Sequence, residues 1–192
     1  MMVPFLAKPG QGKTLTMVAL GLDDYMRGLD IMSNLDLDFP KARGAGKVRK
    51  LDMRLLSDPK VELSNLSLLA DELWLWFDSR RASSTGNLSM SRLFLQSRKR
   101  DMNVYGTAQG FSQFDVRFRD NVDILALCQK RDVNGGRMLD PQWTSPDGQI
   151  WVWFYGLDAN TPVNKTPLKL NMGPVFPLFK SKQMFEVVSS AP

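Results

Sequence analysis

Apolar residues in this chain fall into short blocks separated by polar, Gly- and Pro-containing segments. Met2–Leu6 is a compact apolar run that ends in a Pro-Gly loop, the pattern of a buried first strand. From Thr14 to Arg27 the period changes to a helical one: Leu15, Val18, Leu22 and Met26 share a face, and Gly28 supplies a stop. Strands are predicted at Asp30–Leu35, at Val48–Leu51 after a basic Gly-rich loop (PKARGAGKVRK, 40–50), and at Leu66–Ala70. The polar stretch DSRRASSTGN (78–87) precedes a predicted helix, Ser89–Arg100, with Met90, Leu93, Phe94 and Ser97 on one side. Further strands are predicted at Asn103–Thr107, Val122–Leu127 and Ile150–Tyr155, the last apolar on both faces, as in a strand covered on both sides. This alternation predicts an α/β fold with a mainly parallel central sheet flanked by helices on both faces. The expected organisation is a core over residues 1–160 and an irregular C-terminal arm over 161–192, packed on the core or on a neighbouring subunit.

Composition narrows the chemistry. The 192 residues are 43% hydrophobic and 23% charged, a globular balance at the size of one domain. There is no histidine and one cysteine, Cys128. Disulfide frameworks, His-based zinc sites, Ser-His-Asp triads and Cys-His dyads are thereby excluded, so acid–base work falls to carboxylates, lysine or a bound metal. Cys128 itself is expected to be a buried apolar residue without redox duty. The net charge of +5 is compatible with nucleic acid without requiring it. The N-terminus lacks the pattern of a signal peptide, and the longest apolar run, near Leu73–Phe77, is far shorter than a bilayer span. A cytosolic protein is expected, not an integral membrane protein.

The sharpest motif is Ala7-Lys8-Pro9-Gly10-Gln11-Gly12-Lys13-Thr14, placed between an apolar strand and a helix. It follows G-x-x-x-x-G-K-[ST], with alanine at the first glycine. Gly10 and Gly12 let the backbone turn its N–H groups inward on phosphate oxygens, and the helix start adds its positive dipole end. Lys8, Pro9, Gly10, Gln11, Gly12, Lys13, Thr14 and Leu15 are the expected nucleotide-binding residues. Lys13 would meet the β- and γ-phosphates of ATP, and the Thr14 hydroxyl would ligate Mg²⁺. Alanine at position 7 keeps every N–H and is expected to preserve binding.

A second acidic feature follows. LSLLADE (66–72) is an apolar strand ending in two carboxylates, at the edge where parallel sheets bind ligands. Asp71 is expected to hold Mg²⁺ and Glu72 to polarise the attacking water. Residues adjacent on a strand point to opposite sides, so the two acids would take different tasks. Asn103–Gln109 repeats the geometry, and Gln109 is either a γ-phosphate sensor or an ordinary surface side chain.

With GQGKT, the LLADE strand, a helix carrying SRKRDMN and a strand ending GTAQ, residues 1–130 resemble the FtsK–HerA superfamily of P-loop ATPases. Within it they are most similar to the genome-packaging ATPases of tailless icosahedral viruses with an internal membrane. They are also similar to the ATPase domain of zonula occludens toxin-like proteins of filamentous phages. The resemblance implies a RecA-like core, a homo-oligomeric ring of five or six subunits, and ATP hydrolysis driving double-stranded DNA through the channel. It further implies docking on a viral capsid vertex or membrane protein, in the host cytoplasm or on the virion at the packaging vertex. In such rings an arginine reaches the neighbour's γ-phosphate, and neutralising that charge is worth about 10³–10⁵ in rate. Arg117 and Arg119 in FSQFDVRFRDN (111–121) share one orientation if this segment is extended, with Arg98 and Arg100 as rivals.

A translocating ring grips the phosphate backbone with cations. Arg80 and Arg81 fit that demand, as do Lys41, Arg43, Lys47 and Arg49; each cluster is also readable as a solvated loop. Trp74 and Trp76 are read as packing residues rather than base-stacking ones. Three other classes stay open: a small-molecule nucleotide kinase, a membrane-associated phage assembly or export ATPase, and a nucleotide-binding subunit without catalysis.

Overall fold

The computed structural model describes residues 1–52, 63–73, 97, 101–114, 116–132, 134–137, 148–156 and 163–180, with Arg117 described in its backbone alone. The predicted helix at Ser89–Arg100 except Ser97, together with Arg80, Arg81, Trp74 and Trp76, lies outside the described residues, so Arg98 and Arg100 do too.

Strand β1 (Met2–Leu6) is buried at every position. It leads through the phosphate loop into helix α1 (Lys13–Met26). Next come β2 (Asp30–Ser33), β3 (Val48–Lys50), β4 (Leu66–Ala70) and β5 (Met102–Ala108). A 3₁₀ turn (Phe111–Gln113) and the one-turn helix α2 (Val116–Arg119) precede β6 (Ile124–Arg131), β7 (Gln149–Gly156) and β8 (Leu168–Asn171). The eight strands form one sheet in the order β3-β2-β4-β5-β1-β6-β7-β8. Pairing is parallel from β3 to β6 and antiparallel at β6–β7 and β7–β8.

Proline in a central strand removes a ladder donor, yet β1 carries Pro4. The Met1 carbonyl accepts from Val104 in β5 and the Met2 carbonyl from Asp123 on the β6 side. Even-numbered residues of β1 therefore face β6, and Pro4 is one of them. Pairing with β6 starts only at Phe5↔Ala126, so the missing N–H falls before the ladder begins.

Alternation along β1 feeds two cores. Val3 and Phe5 join Leu15, Met17, Val18, Ile31 and Leu69 beneath α1. Met2 and Leu6 join Leu68, Val104, Leu73, Phe114 and Phe118 on the other face, where the rings of Phe114 and Phe118 stack at 4.5 Å. The helix sits so close to the sheet that a Cβ on Gly21 would overlap the Leu69 side chain, itself fully buried. A polar contact pins the same helix: buried Asp24 accepts from Ser67 Oγ at 2.6 Å and Asn103 Nδ2 at 2.9 Å. Burial, and then the Asp24 carboxylate to which it is hydrogen-bonded, hold the Tyr105 phenol well above its usual range.

Several expectations need correction. Met26, which shares the apolar face of α1 with Leu15, Val18 and Leu22, is 49% exposed, and in its second half the helix buries Gly21, Asp24 and Tyr25. Residues 116–119 are helical and not extended. The shared orientation expected of positions 117 and 119 rests on an extended segment, and the helical backbone removes that premise. β7 is covered unequally, with Ile150 and Val152 fully buried on one face and Trp151, Trp153 and Tyr155 only partly covered on the other. Residues 168–171 form a strand, and Met172, Val175 and Phe179 are buried in the α1-side core, so this segment is more regular than an irregular arm.

Replacing Gly21 with valine is expected to destabilise the fold by about 1–3 kcal/mol through overpacking against Leu69. Urea unfolding, with the slope unchanged and the midpoint lowered, measures it.

Candidate nucleotide-binding site

β1, β4 and β5 all end at the same sheet edge, and β5 lies between the other two. The loop from Ala7 to Gly12 leaves β1 there. Gly10 (φ 73°) and Gly12 (φ 88°) adopt the left-handed backbone that glycine takes without steric penalty. A Cβ at Gly12 would also collide with the Ile150 side chain, so glycine is required twice over. Ala7 is not among the residues with positive φ, and its N–H donates to the Ala108 carbonyl. Alanine therefore meets no steric penalty at the position where the motif usually has glycine.

The first turn of α1 closes when Thr16 N–H donates to the Gly12 carbonyl at 2.9 Å. The N–H groups of Lys13, Thr14 and Leu15 precede that closure and have no intrahelical acceptor, the condition that makes a helix start an anion site. The Leu15 side chain is in the core, so only its backbone faces this end. Lys13 is buried, and its Nζ donates to the loop's own carbonyls at Ala7 (3.1 Å) and Lys8 (3.4 Å). The loop thus holds a cation over its own mouth. Lys8, Pro9 and Gly10 are exposed around it.

The acids meet the loop through hydroxyls. Thr14 Oγ1 donates to Asp71 Oδ1 at 2.8 Å, and Thr107 Oγ1 donates to the same oxygen at 2.6 Å. Thr107 in turn accepts from the Glu72 N–H at 2.8 Å. Asn34, just after β2, clamps the Asp71 backbone from both sides: its amide nitrogen donates to the Asp71 carbonyl and its oxygen accepts from the Asp71 N–H, both at 2.9 Å. β4 ends at Ala70, so the two acids lie in the turn beyond it rather than on alternate faces of a strand. Glu72 has a φ of 49°, in the left-handed region. Such a backbone costs a non-glycine residue about 1–2 kcal/mol, and the Thr107 bond helps to hold it.

Asn34 and Thr107 were not among the residues singled out from sequence. Each is a polar residue at or just beyond a strand's C-terminal end, as Asp71 and Gln109 are, and that shared position is the signal that marks them. A further tie was also missed: Gln11 Oε1 accepts from the Lys130 N–H at 3.2 Å and fastens the loop to β6.

Other candidates lie elsewhere. Gln109 is exposed just after β5 at the site edge, and its N–H donates to Gln113 Oε1. Arg119 precedes Asp123 by four residues, and the Asp123 carboxylate accepts from the Met2 N–H. Arg119 therefore lies toward the opposite end of β1 from its own phosphate loop. Lys41 and Arg43 are exposed in a loop whose Gly46 N–H donates to Tyr25 at the far end of α1, again opposite the phosphate loop. Arg49 pairs with Asp30 at 2.9 Å.

The N-terminal domain of zonular occludens toxin from Neisseria meningitidis superposes with a TM-score of 0.55, at 16% identity over 93% of this chain and 98% of that one. The genome-packaging NTPase B204 of Sulfolobus turreted icosahedral virus 2, in complex with ATP-γ-S, gives 0.52 at 11% identity over 88% and 97%. The ATPase domain of G40P gives 0.53 at 11% identity over 93% and 83%. The fold is that of the RecA-like P-loop NTPases. No protein-family model matches the chain, and no curated protein matches it.

The residues fit a magnesium nucleoside triphosphate. Free helix N–H groups and the Lys13 ammonium suit phosphate oxygens. The paired oxygens of Thr14 and Asp71 are the sparse hard-oxygen set that Mg²⁺ takes when phosphates and water complete its shell.

Two outcomes are expected. Thr107→Val keeps the shape but removes an acceptor from the Glu72 N–H and a donor from Asp71, and should lower stability by about 1–3 kcal/mol; Thr107→Ser should restore most of it. Cys128 lies beneath the loop, and burial pushes its thiol from 9.0 up to about 12, with Thr16 and Lys13 pulling weakly the other way. Above pH 9 the unfolded chain loses that proton while the folded one keeps it, so stability falls as pH rises from 9 towards 12. Denaturation of the Cys128→Ala protein should show a shallower decline over that window.

Proposed function

We propose that the chain is an ATPase that converts ATP hydrolysis into movement of double-stranded DNA, in the manner of a viral genome-packaging motor. The observation carrying this reading is the convergence of Lys13, Thr14 and Asp71 at one sheet edge, with Glu72 set beside them by Thr107. Asp71 and Thr14 would hold the Mg²⁺ that neutralises phosphate charge, and Lys13 with the loop N–H groups would bind the β- and γ-phosphates. Glu72 would orient the attacking water and take up its proton, and Gln109 would sense the γ-phosphate.

Arg119 lies toward the far end of β1 from its own loop, which suits an arginine acting on a neighbouring subunit rather than in its own site. Arg117 remains the alternative finger. The working form would then be a homo-oligomeric ring of five or six copies around DNA, with Lys41 and Arg43 on the edge opposite the nucleotide and Arg80 and Arg81 as further backbone contacts. A capsid vertex or a membrane protein would be the docking partner, in the host cytoplasm or on the virion.

A second reading, a phage assembly or export ATPase working at a membrane, is favoured by the match to the zonular occludens toxin domain, which covers both chains almost fully. No helix among the described residues is long and apolar enough to cross a membrane. Stimulation by double-stranded DNA separates the two readings, since only the packaging motor requires it.

The reading is tested with a fluorescent ATP analogue and a phosphate-release assay. Lys13→Ala should abolish binding. Glu72→Gln should leave binding intact and lower turnover by about 10²–10⁴-fold, the usual worth of a positioned base. Activity per subunit should rise with protein concentration. Full turnover in Glu72→Gln, or binding undiminished in Lys13→Ala, would overturn the assignment.

A further inference from the structure

Among the described residues, the sheet face opposite α1 is covered unevenly. Beneath β4, β5 and β1 it is sealed by Leu73, Phe114 and Phe118. Beneath β6, β7 and β8 it presents a different surface. The antiparallel register sets Leu127 beside Trp153 and brings Lys169 beside Trp151. Leu127 is 39% exposed, Lys169 is exposed, and Trp151, Trp153 and Tyr155 are partly exposed on the same face. The Arg131 guanidinium carbon lies 4.9 Å from the centroid of the Trp151 ring and Lys169 Nζ lies 4.6 Å from it. Two cations are thereby fixed around one indole, with a tryptophan and a tyrosine following at every second residue along β7. No position that β6, β7 and β8 present on this face carries a carboxylate.

We propose that this face binds a single-stranded nucleic acid. Partly exposed aromatic rings at alternate strand positions offer a stacking platform to unpaired bases, and fixed cations beside them meet the phosphates. Paired bases keep their faces inside the duplex, so the aromatic row selects single strands. Strand positions without a carboxylate beside Arg131 and Lys169 favour a polyanion over a second copy of the chain, whose contact with these cations would call for acidic complements. Cation–π contact with Trp151 holds the two charges in place before binding, which reduces the entropy lost on association. The assignment does not rest on the hydrolysis reading, because the platform lies on the sheet face away from α1.

The test is fluorescence anisotropy of a labelled single-stranded oligothymidylate titrated with the full chain, without nucleotide, across a series of salt concentrations. The wild type should bind, and its tryptophan emission should be quenched. Lys169→Glu, an exposed change at an edge strand, should weaken binding about tenfold and reduce the slope of log affinity against log salt by about 0.7, one phosphate contact. Trp153→Ala should weaken it roughly tenfold through lost stacking, with less change in slope. Lys13→Ala should bind the oligonucleotide as the wild type does, which keeps this result separate from the fate of the ATPase reading. Wild-type affinity and slope in both Lys169→Glu and Trp153→Ala would overturn the proposal. So would displacement of the oligonucleotide by an equal concentration of duplex. Dissociation of an oligomer by these variants in sedimentation, with oligonucleotide affinity unchanged, would reassign the face to a contact between copies of the chain.

Discussion

One carboxylate oxygen organises the candidate site. Asp71 Oδ1 accepts two hydroxyl bonds, from Thr14 at the start of α1 and from Thr107 at the end of β5. Through it, three segments far apart in the chain are brought to one point. Hydrogen bonds to an ionised acceptor are worth about 1.5–3 kcal/mol each, so this junction is a substantial local restraint. Asn34 adds a fourth segment by satisfying the Asp71 peptide on both sides. The acid is thereby fixed in backbone and side chain alike, which is the preorganisation that the proposed metal-holding role would require.

The same junction binds the site to the fold. Thr107 reaches Asp71 only because β5 is inserted between β1 and β4, and that insertion depends on the register Leu6↔Ala108 on one side and Ala70↔Gly106 on the other. Gly106 permits it locally, because a Cβ there would collide with Leu73, the buried residue that follows Glu72. The acidic turn, its aromatic-lined support and the phosphate loop are therefore parts of one packed unit. Beneath α1, the close approach at Gly21 and the Asp24 contacts to Ser67 and Asn103 fix the helix that begins at the glycine-rich loop.

An edge that carries the candidate site and a basic, aromatic-bearing remainder follow from this layout. The parallel strands gather their C-terminal ends, and the chemistry, on one edge, as such sheets do. The antiparallel addition of β7 and β8 extends the sheet away from that edge. It buries Ile150 and Val152 under the α1-side core while leaving Trp151, Trp153 and Lys169 on the other face. Period-two alternation makes this split unavoidable: a strand that buries one face must present the other.

How much of this was legible in the residues differs between local and distant features. The strand Met2–Leu6, the helix after it, the glycines of the loop and the strand before Asp71 are signalled within a few positions, because turn chemistry and hydrophobic period are local properties. The order of the strands, the helical form of residues 116–119, the unequal cover of the two faces of β7 and the eighth strand were not, since each depends on what packs against it. Asn34 and Thr107 show the difference most plainly. A threonine and an asparagine have no chemistry that marks them in a linear string, and their role exists only where Asp71 arrives beside them. The sequence by itself determined which groups could bind a phosphate and where the chain would turn to offer them. Tertiary structure alone decided which acid meets which hydroxyl, because hydrogen bonds act over about 3 Å while the residues that form them are separated by 57 positions in one case and 36 in the other.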